Sequence, residues 1–245
     1  MRHAEARESF PPVGRIVGLL RFPVKSMAAE RLAAADVDWH GLAGDRRWAF
    51  VRPGLERSSF PWLTIREKPE LAHYRPAFSE PERPEASATV VTTPDGARHD
   101  VGDPALAALL GDGVRVIKQN RGVFDIAPLS LITTQTIASL GGLLGRALEE
   151  LRFRPNLLVE AASDEPFPED AWVGATLRCA SGLAFRVDQR DKRCVMINVD
   201  PVSTERDPAV LRTVARELEA CLGVYGTTVS PGRVAVGDAL VLASD

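Results

Sequence analysis

Cysteine and histidine are scarce in this sequence, and neither residue type is clustered. The 245 residues include three cysteines, Cys179, Cys194 and Cys221, and four histidines that lie far apart. An odd number of cysteines without a CxxC pair provides neither a disulfide framework nor a zinc-binding pattern. The sequence therefore favours neither a disulfide-rich domain nor a zinc protein.

Long apolar runs and an excess of positive charge are also missing. No run reaches the roughly 18 apolar residues that a bilayer span requires, and residues 1–12 contain no apolar segment of the kind found in secretory signals. The formal net charge of -3 argues against nucleic acid as the main partner, because a phosphate backbone requires a strong positive field. We therefore expect a cytoplasmic protein without membrane or nucleic-acid partners.

The apolar content is nevertheless sufficient for a substantial core. Hydrophobic residues make up 45% of the chain and charged residues 26%, which is ordinary for one large domain or two small ones. Short strands with frequent turns are predicted in the first half, whereas helical periodicity occurs in the second half. Residues 1–12, which are polar and end at Pro11-Pro12, are predicted to be a disordered tail. The change near residues 118–128 predicts a boundary between a first domain over 13–118 and a second over 119–245. The predicted fold class is α+β and mainly β.

The spacing of apolar residues predicts individual strands and helices. Strands are expected over residues 15–22, 32–39, 46–51, 63–66, 114–117, 157–159 and 234–242, with hairpins joining 89–92 to 98–101 and 175–179 to 183–187. Helices are expected over residues 104–110, 137–151 and 208–222, the last opened by Asp207 and Pro208. The stretch 76–86 is rich in proline and glutamate, which is typical of an exposed loop.

Cys194 is the best candidate in the chain for reactive sulfur chemistry. It follows the charged run 190–193 and precedes a short apolar run. Neighbouring cations favour the thiolate, which is the form that acts as a nucleophile or binds soft metals. A cysteine at the start of an apolar run can equally be a small buried hydrophobe, and the local sequence leaves both interpretations open. Cys179 and Cys221 lie in apolar surroundings and are predicted to pack in the core.

Other polar residues occur where predicted strands begin or end. Lys25 and Ser26 follow the first strand, Arg46 opens another, and Arg154 and Asn156 precede a third. Rigid scaffolds often present functional groups at such positions, and lysine and arginine favour phosphate. Each residue can also be an ordinary solvated flank of its strand.

Several short segments occur in an order that is typical of one family. They are Phe22-Pro23-Val24-Lys25-Ser26, Gly41-Leu42-Ala43-Gly44-Asp45-Arg46, Phe153-Arg154-Pro155-Asn156, Arg193-Cys194, Val199-Asp200-Pro201, and Pro231-Gly232 with Val236-Gly237-Asp238. Together they resemble the MOSC family, which takes its name from the C-terminal domain of molybdenum cofactor sulfurase. Within that family the likeness is to the mitochondrial amidoxime-reducing component and its bacterial relatives, over nearly the whole chain.

The resemblance implies an N-terminal β-barrel-like domain over residues 13–118 and a β-rich MOSC domain with a few helices over 119–245. It also implies a molybdenum–molybdopterin cofactor held between them. In that family the cysteine that matches Cys194 ligates molybdenum, and a thiolate suits a metal that already has soft sulfur ligands. The cofactor-binding residues that the resemblance implies are Lys25, Ser26, Arg46, Arg154, Asn156 and Arg193. Asn156 joins Cys194 in the implied catalytic set.

The implied activity is that of a molybdenum-dependent oxidoreductase that reduces N-hydroxylated small molecules, such as amidoximes and hydroxylamines. The sequence contains no ferredoxin module of the kind that some bacterial relatives carry, so we expect electrons from a separate ferredoxin-, flavodoxin- or cytochrome b5-like protein. No role is expected for pyridoxal phosphate. Two alternatives remain: a sulfur carrier that forms a persulfide on Cys194, and a protein that binds or delivers the cofactor without turnover.

Overall fold

The computed structural model describes residues 11–243. The tail predicted for residues 1–12 lies outside the described residues except at its last two positions, and Pro12 already begins the first strand. None of the helices formed by residues 11–243 is long and apolar enough to cross a bilayer.

Strands dominate the described chain. They are β1 Pro12–Arg21, β2 Glu30–Leu32, β3 Ala34–Asp38, β4 Gly41–Leu42, β5 Trp48–Val51, β6 Arg75–Phe78, β7 Thr89–Thr92, β8 Arg98–Asp100, β9 Arg115–Lys118, β10 Leu129–Thr133, β11 Leu157–Ala161, β12 Thr176–Cys179, β13 Ala184–Lys192, β14 Cys221–Ser230, β15 Gly232–Ala235 and β16 Ala239–Leu242. The α-helices are α1 Pro104–Leu110, α2 Thr134–Leu144 and α3 Pro208–Glu217, and short 3-10 helices span Pro69–His73, Glu150–Arg152, Pro168–Trp172 and Val195–Asn198. The predicted fold class, mainly β with a few helices, is confirmed.

Seven strands close into a barrel. Their order is β11-β10-β14-β13-β12-β16-β1, and β1 also pairs with β11, which completes the ring, while β2 pairs with the end of β1. Closure removes the free edges that an open sheet would present. Six of these strands come from the second half of the chain, but β1 comes from its beginning. The two halves therefore share one sheet.

The barrel strands build the largest apolar cluster. Ile16 and Leu19 of β1 pack in it with Leu131, Leu177 and Phe185, and all five side chains are buried. Burying such a side chain contributes about 1.5–3 kcal/mol relative to leaving it exposed. This cluster therefore supplies much of the stability that holds β1 in the ring.

Three small sheets and two further apolar clusters complete the fold. The sheets have the orders β15-β3-β4, β5-β9 and β6-β7-β8. One cluster includes Phe50 and Leu106 of the first half together with Val199 of the second half. The other packs α2 and α3 around Ile197. Because Ile197 and Val199 closely follow Cys194, the two clusters fix the position of that cysteine.

Two helices end earlier than the apolar periodicity predicts. α2 ends one residue before Gly145, which has a φ of +70° and whose N–H caps two carbonyl groups of the last turn. α3 ends at Glu217, and the positive φ values of Glu219 and Ala220 then break the helical path. The ten-residue strand β14 follows, where the last apolar residues of a helix were predicted.

Two extended segments also differ from the prediction. The segment 63–66 does not form a strand, because residues 65–67 form a turn in which Glu67 accepts hydrogen bonds from the backbone N–H and the hydroxyl of Thr64 at 3.0 and 2.7 Å. Within the predicted loop 76–86, residues 76–78 belong to β6. The buried strand β10 was not predicted, since a short continuous apolar run has no diagnostic period. The domain boundary at residues 118/119 stays a prediction.

We predict that Gly41 tolerates no side chain. It has a φ of +92°, and a Cβ atom there would lie 2.6 Å from the backbone oxygen of Pro128. Gly54, with a φ of +75° and no atom within 4 Å of such a Cβ, is a matched control. Gly54→Ala should cost about 1 kcal/mol of unfolding free energy through backbone strain, and Gly41→Ala about 2 kcal/mol more through the clash. Equal losses in chemical denaturation would contradict this account.

Candidate functional site

A cavity of about 370 Å³ is lined by both halves of the chain. Six of the seven residues predicted from the sequence line it: Lys25, Ser26, Arg46, Arg154, Arg193 and Cys194. Three of them belong to the first half and three to the second. The volume is within the range of small-molecule sites. The structure therefore brings residues that are remote in sequence to one place.

Basic side chains dominate the cavity. Only two acidic residues, Asp125 and Asp191, occur among the described residues that line it. The basic set has seven members: Lys25, Arg46, Arg66, Arg152, Arg154, Lys192 and Arg193. The whole chain has a net charge of -3, so positive charge is concentrated at this place. A concave, weakly solvated surface of one sign focuses its field, which favours an anionic ligand.

Three of the lining residues have unusual backbone conformations. Ser26, Arg46 and Arg154 have φ values of +68°, +49° and +53°, and they are three of the seven non-glycine residues with positive φ in the described chain. Such conformations cost of order 1–3 kcal/mol each and cluster at functional sites. Hydrogen bonds hold them in place; the N–H of Arg46, for example, donates to the carbonyl oxygen of Phe22 at 2.7 Å. Backbone strain is thus concentrated at the cavity.

Arg46 and Arg154 lie over the same aromatic ring. Their guanidinium carbons are 4.8 and 4.1 Å from the ring centroid of Phe22, which is within the range of cation–π contacts. Arg46 forms an ion pair with the buried Asp45. Arg154 donates to the carbonyl oxygen of Met27 at 2.8 Å, but among the described residues its buried Nη2 has no hydrogen-bond partner and it has no carboxylate partner. Burial and the nearby charge of Arg46 lower the pKa of Arg154 to about 9.

Lys25 and Ser26 contribute further donors. The Lys25 ammonium, which is 7% exposed, donates to Asp125 Oδ1 at 2.5 Å. Burial lowers the pKa of Lys25, and the charges of Arg46 and Arg154 add to this effect, while Asp125 opposes it. The buried hydroxyl of Ser26 has no hydrogen-bond partner among the described residues. Buried donors without partners are rare in folded proteins. The hydroxyl of Ser26 and the Nη2 of Arg154 are therefore suited to a ligand that supplies acceptors.

Asn156 lies behind the wall of the cavity. It is 1% exposed, and its Oδ1 accepts hydrogen bonds from the backbone N–H and the hydroxyl of Ser130, each at 3.2 Å. Its Nδ2 donates to the carbonyl oxygen of Leu20 at 3.2 Å. Arg46 Nη1 lies 3.4 Å from the same Oδ1. This geometry is that of a positioning residue, and the catalytic role implied by the resemblance stays a prediction.

Cys194 lines the cavity immediately before the 3-10 helix Val195–Asn198 and is partly exposed. Arg66 Nη2 lies 3.2 Å from its Sγ. The Arg66 guanidinium also lies 4.8 Å from the ring centroid of Phe60 and 3.9 Å from Asp125 Oδ2. Sequence reasoning missed Arg66 because it assigned this segment to a strand. The threonine–glutamate spacing at residues 64 and 67, which is that of a capping box, was the signal available.

Arg193 and Arg152 anchor the chain around Cys194. Arg193 donates from Nε and Nη1 to two backbone carbonyl oxygens at 2.7 and 2.9 Å. Arg152 donates to the carbonyl oxygen of Ile197 at 3.1 Å and to Asp200 Oδ2 at 2.6 Å. Both arginines therefore donate hydrogen bonds to protein groups, while their charges add to the positive charge of the cavity.

The other two cysteines lie away from this cavity. Cys179 is buried in the barrel cluster, as predicted, and burial raises the pKa of its thiol to about 12. Cys221 is only partly buried, contrary to the prediction. Within residues 11–243 no group of three or more His, Cys, Asp or Glu side chains converges on a possible metal position. A metal beside Cys194 would need a cofactor that brings ligands of its own.

The fold and the cavity together define a class of protein: a two-part β protein with a basic, thiol-containing site built by both parts. Residues 13–109 match the family model of the MOSC N-terminal beta barrel domain, and residues 118–241 match that of the MOSC domain. The chain therefore belongs to the MOSC family. This confirms the resemblance read from the short segments.

Individual relatives are distant. Two proteins named molybdenum cofactor sulfurase, from Caenorhabditis briggsae and Caenorhabditis elegans, are 25% and 24% identical to this chain over 251 aligned positions. The alignments cover 89% of this chain but 34% of each relative, so the chain spans about a third of their length. The crystal structure of the YuaD protein from Bacillus subtilis matches 95% of this chain and 97% of its own, with a TM-score of 0.54 and 14% identity. That likeness shows a shared fold.

Arg152 and Arg154 should respond differently to substitution. Arg152→Gln leaves Asp200 without its partner, whereas Arg154→Gln removes a charge that no carboxylate neutralises. We expect Arg152→Gln to lose about 2 kcal/mol more unfolding free energy than Arg154→Gln, because the buried Arg152 donates charge-assisted hydrogen bonds to Asp200 and to the carbonyl oxygen of Ile197. Equilibrium denaturation of the two variants measures this difference. A larger loss for Arg154→Gln would mean that its guanidinium is already satisfied within the protein.

Proposed function

We propose that the basic cavity binds a molybdenum–molybdopterin cofactor and that the chain reduces N-hydroxylated small molecules with it. The observation that carries this proposal is the arrangement of the cavity, in which donors from both halves surround a single thiol, that of Cys194. Membership of the MOSC family and the likeness to proteins named molybdenum cofactor sulfurase support the choice of cofactor.

The residues present fit this cofactor. A molybdopterin carries a phosphate, and the free donors of Arg154 and Ser26 and the ammonium of Lys25 would bind its oxygens. Its two dithiolene sulfurs are soft ligands, and the thiolate of Cys194 is a third of the same kind. This set of ligands agrees with the lack of a convergent metal-binding cluster in the described residues.

Each residue then has a defined task. When bound, the cofactor supplies a two-electron redox centre. Arg66 holds the sulfur of Cys194 in place, and Asn156 keeps the wall beneath Arg46 rigid. The overall reaction converts R–NH–OH, two electrons and two protons into R–NH2 and water. We propose that the electrons come from a separate ferredoxin-, flavodoxin- or cytochrome b5-like protein, and that the chain acts in the reducing cytoplasm, where a free thiol persists.

Sulfur transfer is the second candidate. The guanidinium of Arg66, 3.2 Å from Cys194 Sγ, would stabilise a persulfide anion as well as a thiolate. The name of the sulfurase relatives also favours it. Molybdenum and pterin analysis of the purified protein separates this candidate from a cofactor protein. Turnover with a chemical reductant then separates an enzyme from a protein that only carries the cofactor.

Cys194→Ala is the decisive substitution. Alanine fits where a cysteine did, so the fold should be nearly unaffected, but the metal loses its protein sulfur ligand. We expect amidoxime reduction, driven by a chemical reductant, to fall at least about a hundredfold, or roughly 2.7 kcal/mol of transition-state stabilisation. Cys179→Ala and Cys221→Ala should keep the activity per folded molecule. A Cys194→Ala protein that retains molybdenum and full activity would remove the basis of the proposal.

Lys25→Met tests how the cofactor is held. Loss of a charge-assisted contact, worth about 1.5–3 kcal/mol, should weaken retention about tenfold or more. Pterin content after extensive dialysis measures this. Lys118→Met is the control, because Lys118 is exposed on β9 and does not line the cavity. Equal pterin contents in the two variants would show that the phosphate binds elsewhere.

A further inference from the structure

One acidic side chain is buried inside the basic cavity. Asp191, near the end of β13, lines the cavity and is 2% exposed. Arg193 Nη1 is 2.8 Å from its Oδ2, but the angles of this contact are not those of a hydrogen bond. The oxygen is therefore buried without a hydrogen-bond partner among the described residues. A permanent negative charge at this position would oppose the binding of an anionic ligand. The burial of a carboxyl group at this position therefore calls for a functional explanation.

The surroundings of Asp191 allow its carboxyl group to exchange a proton near neutral pH. Burial raises the pKa of Asp191 to about 6, although the charges of Arg193 and Arg46 oppose the rise; Asp125 adds to it. Tyr225, on the neighbouring strand β14, also lines the cavity and lies beside the carboxyl group. Burial and the charge of Asp191 raise the pKa of this phenol to about 12. At neutral pH the carboxyl group can gain and lose a proton, while the phenol keeps its own.

The second acid of the cavity is in the opposite situation. Burial acts to raise the pKa of Asp125, but the positive charges of Lys25, Arg66 and Arg46 outweigh it and lower that pKa overall. Asp125 is therefore a permanent carboxylate that forms ion pairs. Two carboxyl groups whose pKa values are driven apart in one site are the usual mark of a divided acid–base role.

We propose that Asp191 is a catalytic proton donor in this cavity, with Tyr225 as the neighbour that positions its carboxyl group. The inference rests on the proposed reductase function. Cleavage of the N–O bond of R–NH–OH by two electrons leaves a negative charge on nitrogen and on oxygen. One proton goes to each atom, which gives R–NH2 and water. Asp191 supplies one of these protons and is reprotonated from solvent, which supplies the other.

The pH profile of turnover tests the proposal. A donor must be protonated, so wild-type kcat with a chemical reductant should fall as the pH rises through the pKa of Asp191. Asp191→Asn should lower kcat about a hundredfold at pH 6 and abolish this descending limb. The matched control is Asp188→Asn, because Asp188 lies on the same strand, pairs with Arg186 and does not line the cavity. The control should keep both the rate and the profile.

A second readout does not depend on turnover. The carboxyl group of Asp191 binds its proton more tightly in the folded state than in the unfolded chain. Its contribution to stability is therefore present at low pH and is lost as the pH rises from about 4 to above 6. Asp191→Asn should remove this part of the pH dependence of unfolding, whereas Asp188→Asn should not.

Tyr225→Phe keeps the proposal falsifiable if Asp191→Asn fails to fold. The phenol stabilises the carboxylate, so its removal should move the descending limb of the kcat profile to higher pH. If the wild-type protein is active and Asp191→Asn or Tyr225→Phe has the same pH profile of kcat as the wild type, the proton-donor role alone is overturned. A wild-type protein that carries molybdenum but reduces no N-hydroxylated compound would overturn the proposed function, and the donor role with it.

Discussion

The antiparallel pairing of β1 with β11 is the constraint on which the cavity depends. It closes the barrel, and its register places the end of β1 beside the start of β11. Leu20 and Asn156 reinforce this junction, since the N–H of Leu20 donates to the carbonyl oxygen of Asn156 at 2.9 Å and the side chain of Asn156 donates back. Phe22 follows directly and contacts Arg46 and Arg154. Without this pairing, the two sets of basic residues would have no common wall.

The cavity is a compromise between stability and binding. A group of like charges in a weakly solvated site opposes folding, and Asp45 and Asp125 neutralise only part of it. The donors of Arg154 and Ser26 remain unsatisfied, and both residues have strained backbones. The apolar clusters of the barrel and the small sheets supply the stability that this arrangement requires. A bound anion would relieve the repulsion, so ligand binding and folding stability are linked.

Six of the twenty lining residues could be predicted because they belong to short segments with recognisable turn chemistry and order. Asp125, Asp191 and Tyr225 could not, because nothing in their local sequence distinguishes them, and the one local signal near Arg66 was the spacing of the threonine and glutamate on either side of it. Asp191 belongs to a charged run of the kind that usually faces solvent, and only the bulged end of β13 buries it. The helix ends differ from the prediction for a similar reason. Apolar residues continue at helical spacing beyond Gly145, but the backbone leaves the helical conformation at this residue.

The sequence by itself determined the mainly β class, the family and the candidate thiol, since periodicity and motif order are local properties that can be read along the chain. The tertiary structure alone decided which charges are paired and which acid is buried. It also decided which strand closes the barrel. Arg66 and Cys194, which are 128 residues apart, meet at 3.2 Å. Distances of this kind set pairing, burial and pKa values, and they depend on how remote segments pack rather than on the residues beside each group.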